Sequence, residues 1–298
     1  MKYMELTQTM TKPFFAAMTA VALIGTSHAA LVAYESFETT SADGQNLPSM
    51  DRTGSSDFGW GDQWRWNDNT DLGITVDSPG LGFGDLDTAG KLASSNFNGS
   101  SAGQYRRELS ASYTISSGPG GREEMWASWL STWSGNGDGT GGNAFQWFKL
   151  HNGNTEVIAA GINNWGGVRG TALEDQWRLA PGDAANQLDS FTGVVASPGE
   201  TYMLSMRLSA TEGNTLVELF VNSNGNREIG SPLATHTLSG AATFNQIRLQ
   251  TQQTNITAEW DEIRIGESFS SVGLIPEPTV ALLGSLGLLT LLRRRRTT

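Results

Sequence analysis

Residues 201–222 read TYMLSMRLSATEGNTLVELFVN. Tyr202, Leu204, Met206 and Leu208 alternate with Thr201, Met203, Ser205 and Arg207. A period of two over that length sets one group on a core face and the other outward, which is a half-buried strand. Thr211-Glu212-Gly213-Asn214 separates this run from a second apolar one, 215–222. Two such runs around a short Gly- and Asn-containing break predict a β-hairpin. The same alternation recurs at Leu109, Ala111, Tyr113 and Ile115. Further strands are predicted at 31–38, 124–133, 144–151, 156–162, 244–251 and 258–265, with Gly, Asn, Asp and Pro clusters between them. No long stretch keeps a 3.6-residue apolar period. Many short strands with polar, Gly-rich turns predict an all-β sandwich or jelly roll of two antiparallel sheets.

The two ends read differently. Lys2 and Lys12 sit in a polar opening segment, an apolar run follows from Phe14 to Gly25, and Ser27-His28-Ala29 supplies small residues at the −3 and −1 positions. This pattern predicts a secretory signal peptide over 1–29, cut after Ala29, with Met1 or Met10 as its start. At the other end, Pro276-Glu277-Pro278 precedes the uncharged run 280–292, in which seven of thirteen residues are leucine, and then Arg293, Arg294, Arg295 and Arg296. A helix of that run rises about 20 Å against a hydrocarbon core of about 30 Å. Its leucines contribute roughly −3.5 kcal/mol towards insertion. The prediction is a short transmembrane segment with the arginines held on the cytoplasmic side and the body of the chain outside. Residues 268–274 read as a linker. Triplet, apolar run and arginine cluster, in that order, resemble the PEP-CTERM sorting signal of exported bacterial proteins. That resemblance implies transient inner-membrane anchoring, recognition and cleavage by an exosortase near the triplet, and transfer to the cell envelope or extracellular matrix.

Between the ends, residues 30–267 have the length of one large β-sandwich domain. Six of the 19 basic residues (Lys2, Lys12 and the four arginines) and two of the 30 acidic residues (Glu5 and Glu277) lie in the end segments, which leaves 13 basic against 28 acidic. So acidic a body argues against nucleic acid as partner. There are no cysteines, which removes thiol catalysis and Cys-ligated metals. A domain of this size needs no disulfides. The AYESFE opening strand, the WASWLSTW strand, the hairpin above and the closing EWDEIRIGESFSSV together resemble concanavalin-like or laminin-G-like jelly rolls. The resemblance implies the fold and leaves the activity open.

Catalytic motifs are incomplete. The glucanases of this fold place Glu-x-Asp-x-Glu on one strand face. Here Glu259 and Asp261 are followed by Ile263, with Asp261 expected to face the same way as Ile263 and Ile265. Tyr105-Arg106-Arg107-Glu108-Leu109 is similar to the Arg-x-Glu-Leu strand of jelly-roll alginate lyases, but Gln246-Ile247-Arg248 has arginine where those enzymes have histidine. His151 and His236 are expected at the surface or in loops. No catalytic residue and no metal site is assigned. Oxygen-rich loops at 68–71, 85–87 and 136–139 offer ligands of the kind calcium takes, without a complete calcium-loop motif.

Trp60, Trp64 and Trp66 crowd into FGWGDQWRWNDNTD. Indole rings stack on sugar faces while neighbouring polar side chains bond hydroxyls. Trp60, Asp62, Trp64, Arg65 and Trp66 are therefore the candidate glycan-binding residues. The alternative is that two of these rings cap the sandwich core. The leading reading is an exported, non-catalytic protein that binds or organises extracellular polysaccharide. A matrix or protein-interaction module with no sugar site, and a divergent polysaccharide hydrolase or lyase, are the alternatives.

Overall fold

The computed structural model describes residues 30–273 except 39–41, 48–56, 67–72, 85–89, 98–101, 135–143, 165–170, 183–189, 224, 227 and 253–255. The expected signal peptide, the Pro276-Glu277-Pro278 triplet, the apolar run 280–292, the arginine cluster and all three oxygen-rich loops lie outside the described residues. Among the described residues no helix is long and apolar enough to cross a membrane.

The chain order is β1 (Leu31–Glu35), β2 (Gln45–Asn46), β3 (Arg65–Trp66), β4 (Ile74–Asp77), β5 (Leu92–Phe97), β6 (Ala102–Ile115), β7 (Glu124–Ser134) and β8 (Ala144–Asn152). Then come β9 (Thr155–Asn164), β10 (Gln176–Pro181), β11 (Ser190–Val195), β12 (Thr201–Thr211), β13 (Asn214–Asn222), β14 (Ala234–Ser239), β15 (Ala242–Gln252) and β16 (Ile256–Gly266). One turn of helix, α1 (Phe269–Val272), closes the described chain. A nine-stranded sheet runs β14-β13-β12-β7-β16-β5-β4-β2, with β1 also paired to β16; a seven-stranded sheet runs β11-β10-β9-β8-β15-β6-β3. Every strand pairing within these sheets is antiparallel. The architecture is the all-β jelly-roll sandwich that the alternation predicts.

The opening hairpin forms as read. β12 and β13 pair in continuous register from Met203↔Asn222 to Thr211↔Asn214, so the turn is Glu212-Gly213, with Gly213 at φ 72°. That left-handed conformation is why glycine stands there. Tyr202, Leu204, Met206 and Leu208 enter the main core, where they meet Val217, Leu219 and Val221 of β13. The two sheets are joined by large rings such as Trp129 of β7, stacked on Phe148 of β8 at 4.3 Å. Trp126 belongs to a separate cluster on the far side of β7, as the parity of a strand requires.

Three local expectations are corrected. Ala111 is exposed, because β6 bulges between Glu108, which faces Gln246, and Tyr113, which faces Phe244. β16 carries a register shift between Asp261 and Arg264, with Glu262 at φ 50°. The extra residue reverses the alternation: Ala258 and Trp260 point into the core before it, Ile263 and Ile265 after it. Asp261 therefore shares the outer face with Glu259 and does not follow the isoleucines. The expected linker is folded through residue 273. Ser268 caps α1, and Val272 and Phe269 cluster with Trp126, Phe220 and Leu31 on the outside of the nine-stranded sheet. Ser128 donates its hydroxyl to the Val272 carbonyl at 2.6 Å. Apolar side chains at 269 and 272 make burial more favourable than a solvated linker.

The two outer faces differ. That of the nine-stranded sheet presents Leu130, Met203, Trp126 and Phe220, which the chain itself covers with Leu81, Phe83 and α1. The outer face of the seven-stranded sheet presents mostly polar and charged side chains.

Candidate functional site

The tryptophan segment is held as structure. Trp64 is 1% exposed, stacks near Phe37 with ring centres 6.0 Å apart, and donates its indole N–H to Glu35 Oε2 at 2.7 Å. Trp60 is half-buried against the core and donates to the Tyr34 carbonyl at 2.8 Å, with the Arg107 guanidinium 4.5 Å from its ring centre. Arg107 ion-pairs with Glu35 and lies 3.4 Å from Asp57 Oδ2; its Nε donates to the Asp62 carbonyl at 3.2 Å. Asp62 accepts the Glu108 N–H at 3.0 Å and pairs with Arg65 Nε at 2.8 Å. Trp64 has no free face for a sugar, and Asp62 is engaged with its neighbours. Two of the candidate rings are thus core-capping, the alternative the sequence left open. Trp66 lies in β3, its backbone opposite Tyr105. Among the candidates whose side chains are described, Arg65 is largely open, at 60% exposure.

Arg65 also leads to a different surface. The pairing registers carry a line straight across the seven-stranded sheet: Arg65 faces Arg106, Arg106 faces Arg248, and Arg248 faces Lys149. Alternation places them all outward, since Tyr105, Ile247, Leu249, Phe148 and Leu150 fill the core. Two residues along the strands, a second row runs Gln104, Gln250, Trp147, Gly161, Arg178 and Phe191. On the other side, a third runs Glu108, Gln246, His151 and Glu156. Gly161 is required here: a Cβ would meet the Gln146 carbonyl oxygen at 1.9 Å and the Trp147 ring at 2.9 Å.

Much of this face is enclosed. Lys149, His151, Gln246 and Arg248 are each less than 9% exposed although they point away from the core. Arg248 bonds Gln246 Oε1 at 2.7 Å, the Gly153 carbonyl at 2.8 Å and Asn154 Oδ1 at 3.2 Å. Lys149 Nζ bonds Glu156 Oε2 at 2.6 Å. Several buried polar atoms have no protein partner: Arg106 Nε, both His151 nitrogens, Glu156 Oε1, Gln250 Oε1 and Asn163 Oδ1. Burial pulls the His151 imidazole down to about 3, with Arg248 and then Lys149 adding to the effect. His151 is therefore neutral at physiological pH, with one nitrogen a donor and the other an acceptor. Its burial in β8 corrects the expected surface position.

The glucanase-like pair lies elsewhere. On the outer face of the nine-stranded sheet, Glu259 accepts from the Thr132 hydroxyl and Asp261 from the N–H groups of Leu81 and Glu262, both at 2.8 Å. The lyase-like residues Arg106, Glu108, Gln246 and Arg248 do converge, and β8 supplies a histidine beside Gln246 that no linear motif reveals. Among the described residues, no group of three or more His, Asp or Glu side chains is placed to hold a metal ion.

No family model matches the chain, and no curated protein matches it. Among solved structures, it is similar to the exoplasmic/lumenal domain of VIP36 in a Ca2+/Man2-bound form, at 6% identity and TM-score 0.41, over 63% of this chain and 78% of that one. It is similar to the CBM2 module of the evolved Dit of Lactobacillus casei BL23 phage J-1, at 12% identity and TM-score 0.40, over 80% and 95%. It is also similar to lectin II from Ulex europaeus, at 10% identity and TM-score 0.37, over 68% and 91%.

Proposed function

We propose that this is an exported, non-catalytic glycan-binding protein of the cell envelope or matrix, and that its site is the outer face of the seven-stranded sheet. One observation carries the reading: buried polar atoms without protein partners lie on this face, on Arg106, His151, Glu156 and Gln250. A buried donor or acceptor left unmet costs about 1–3 kcal/mol. Hydroxyl-rich ligands supply donors and acceptors together, and a few convergent polar groups fix the orientation of a ligand. The PEP-CTERM-like tail and the signal-peptide-like start support export, inner-membrane anchoring and exosortase processing.

Affinity electrophoresis of the purified protein in gels cast with different polysaccharides tests the reading. Retardation in at least one gel, weakened by Gln250→Ala, is expected. Uniform mobility in every gel contradicts it.

The placement of His151 beside Gln246 and Arg248 favours a second reading, β-elimination of a uronate chain with His151 as base. A base with so low a pKa is a weak acceptor for a carbon-bound proton, so binding is the preferred function. Release of unsaturated product, abolished in His151→Asn, would reverse that preference.

A further inference from the structure

We infer that the ligand of this face is a polyanionic glycan, a chain bearing carboxylates or other acidic groups, laid across the strands of the seven-stranded sheet. This rests on the glycan-binding reading above. The observation is the row Arg65, Arg106, Arg248, Lys149, contributed by four adjacent strands in exact register.

Like charges directly opposite one another on neighbouring strands destabilise a sheet. Here three successive cross-strand contacts all join cations. The chain as a whole carries a net charge of −11, so the row is not a product of a basic composition. The two ends of the row are offset locally, Arg65 by Asp62 and Lys149 by Glu156. Arg248 is 4% exposed and bonds Gln246, Gly153, Asn154 and Gln104. Arg106 makes no ion pair among the described residues, and its buried Nε has no partner. Guanidinium groups are suited to carboxylates because their planar fork matches two oxygens.

Geometry selects a polymer over a single small acid. Strands are spaced about 4.8 Å apart, so the row spans roughly 14 Å. A pyranose unit is close in length to one strand spacing. A glycan running perpendicular to the strands therefore meets one cation per sugar, with the Gln104–Gln250–Trp147 row on one flank and the Gln246–His151 row on the other to take its hydroxyls. The exposure gradient, from the open Arg65 to the enclosed Lys149, gives the chain an entrance at the β3 edge.

The test uses the full chain and three probes: polygalacturonate as carboxylated glycan, dextran as neutral glycan, and double-stranded DNA as a non-sugar polyanion. The expected result is binding to polygalacturonate that weakens as salt is raised, with at least about tenfold lower affinity for dextran and DNA. Arg106→Gln should lower polygalacturonate affinity about tenfold or more, the scale of a lost charge-assisted hydrogen bond. Arg65→Gln, at an open position that folding tolerates, should give a smaller loss in the same direction. Lys91→Gln, at the ion pair with Asp43 just outside β5 and β2 of the other sheet, should give none. Dextran bound as tightly as polygalacturonate, with both Arg variants unchanged, overturns the anionic class while leaving glycan binding intact. DNA bound as tightly as polygalacturonate overturns the restriction to glycans. Failure to bind any of the three overturns this inference, and failure across a wider polysaccharide panel overturns the reading beneath it.

Discussion

Replacing Arg107 with methionine should destabilise the protein by about 3–5 kcal/mol. Arg107 is 5% exposed, and its guanidinium lies among Glu35, which is fully buried, Asp57 and the Asp62 carbonyl, under the Trp60 ring. Methionine retains most of the apolar stem and removes the charge. Glu35 keeps its bonds from Trp64 Nε1 and the Phe37 N–H, but loses the counter-charge in a site without solvent. Breaking one side of a buried ion pair costs about 3–5 kcal/mol because the remaining charge stays desolvated. For a domain of this size each kcal/mol lowers Tm by about 2–4 °C, so the fall should be roughly 6–20 °C. Urea unfolding followed by tryptophan fluorescence and circular dichroism reads it, with an unchanged m-value showing that the unfolding reaction is the same. Adding Glu35→Gln to Arg107→Met should recover part of the loss, since it removes the stranded charge. A single variant within about 0.5 kcal/mol of the parent, or a double variant whose losses simply add, would refute the buried network and with it the structural role assigned to Trp60 and Trp64.

Other consequences follow from particular contacts. Trp129→Ala, which removes the ring stacked on Phe148 between the sheets, should cost about 3–5 kcal/mol in the same unfolding assay. Gly161→Ala should cost about 1–3 kcal/mol by overpacking, because the added methyl meets the Gln146 carbonyl. His151 titrates at its ordinary value when unfolded and near 3 when folded. The unfolded chain therefore binds the extra proton between those values, and stability present above pH 6.5 is lost as pH falls towards 3. His151→Asn should flatten that stretch of the stability–pH curve by up to about 1.4 kcal/mol per pH unit; parallel curves for the two proteins would contradict the buried neutral imidazole.

What the sequence made legible was whatever a strand records locally. The alternation of Tyr202, Leu204, Met206 and Leu208 is a property of consecutive residues, and it survives intact in β12. β10 and β11 escaped notice because QWRLAP has Arg178 at a fully buried outward position, which breaks the apolar pattern, and SFTGVV mixes buried and open residues. The bulges in β6 and β16 defeated strict alternation at Ala111 and Asp261, since an added residue leaves no local mark. The tryptophan segment was found with both readings open: its partners Glu35 and Arg107 are distant in the chain, so nothing nearby announced that Trp60 and Trp64 were already engaged. The cation row was out of reach for a stronger reason. Arg65, Arg106, Lys149 and Arg248 become neighbours only through strand order and register, which depend on the whole sheet.

A crystal structure of the protein soaked with an oligosaccharide of the polymer it retains tests the central claim most directly. The sugar is expected on the outer face of the seven-stranded sheet, within hydrogen-bond distance of Arg106 and Gln250. Sugar bound instead at the Trp60–Asp62 turn or on the outer face of the nine-stranded sheet would contradict it.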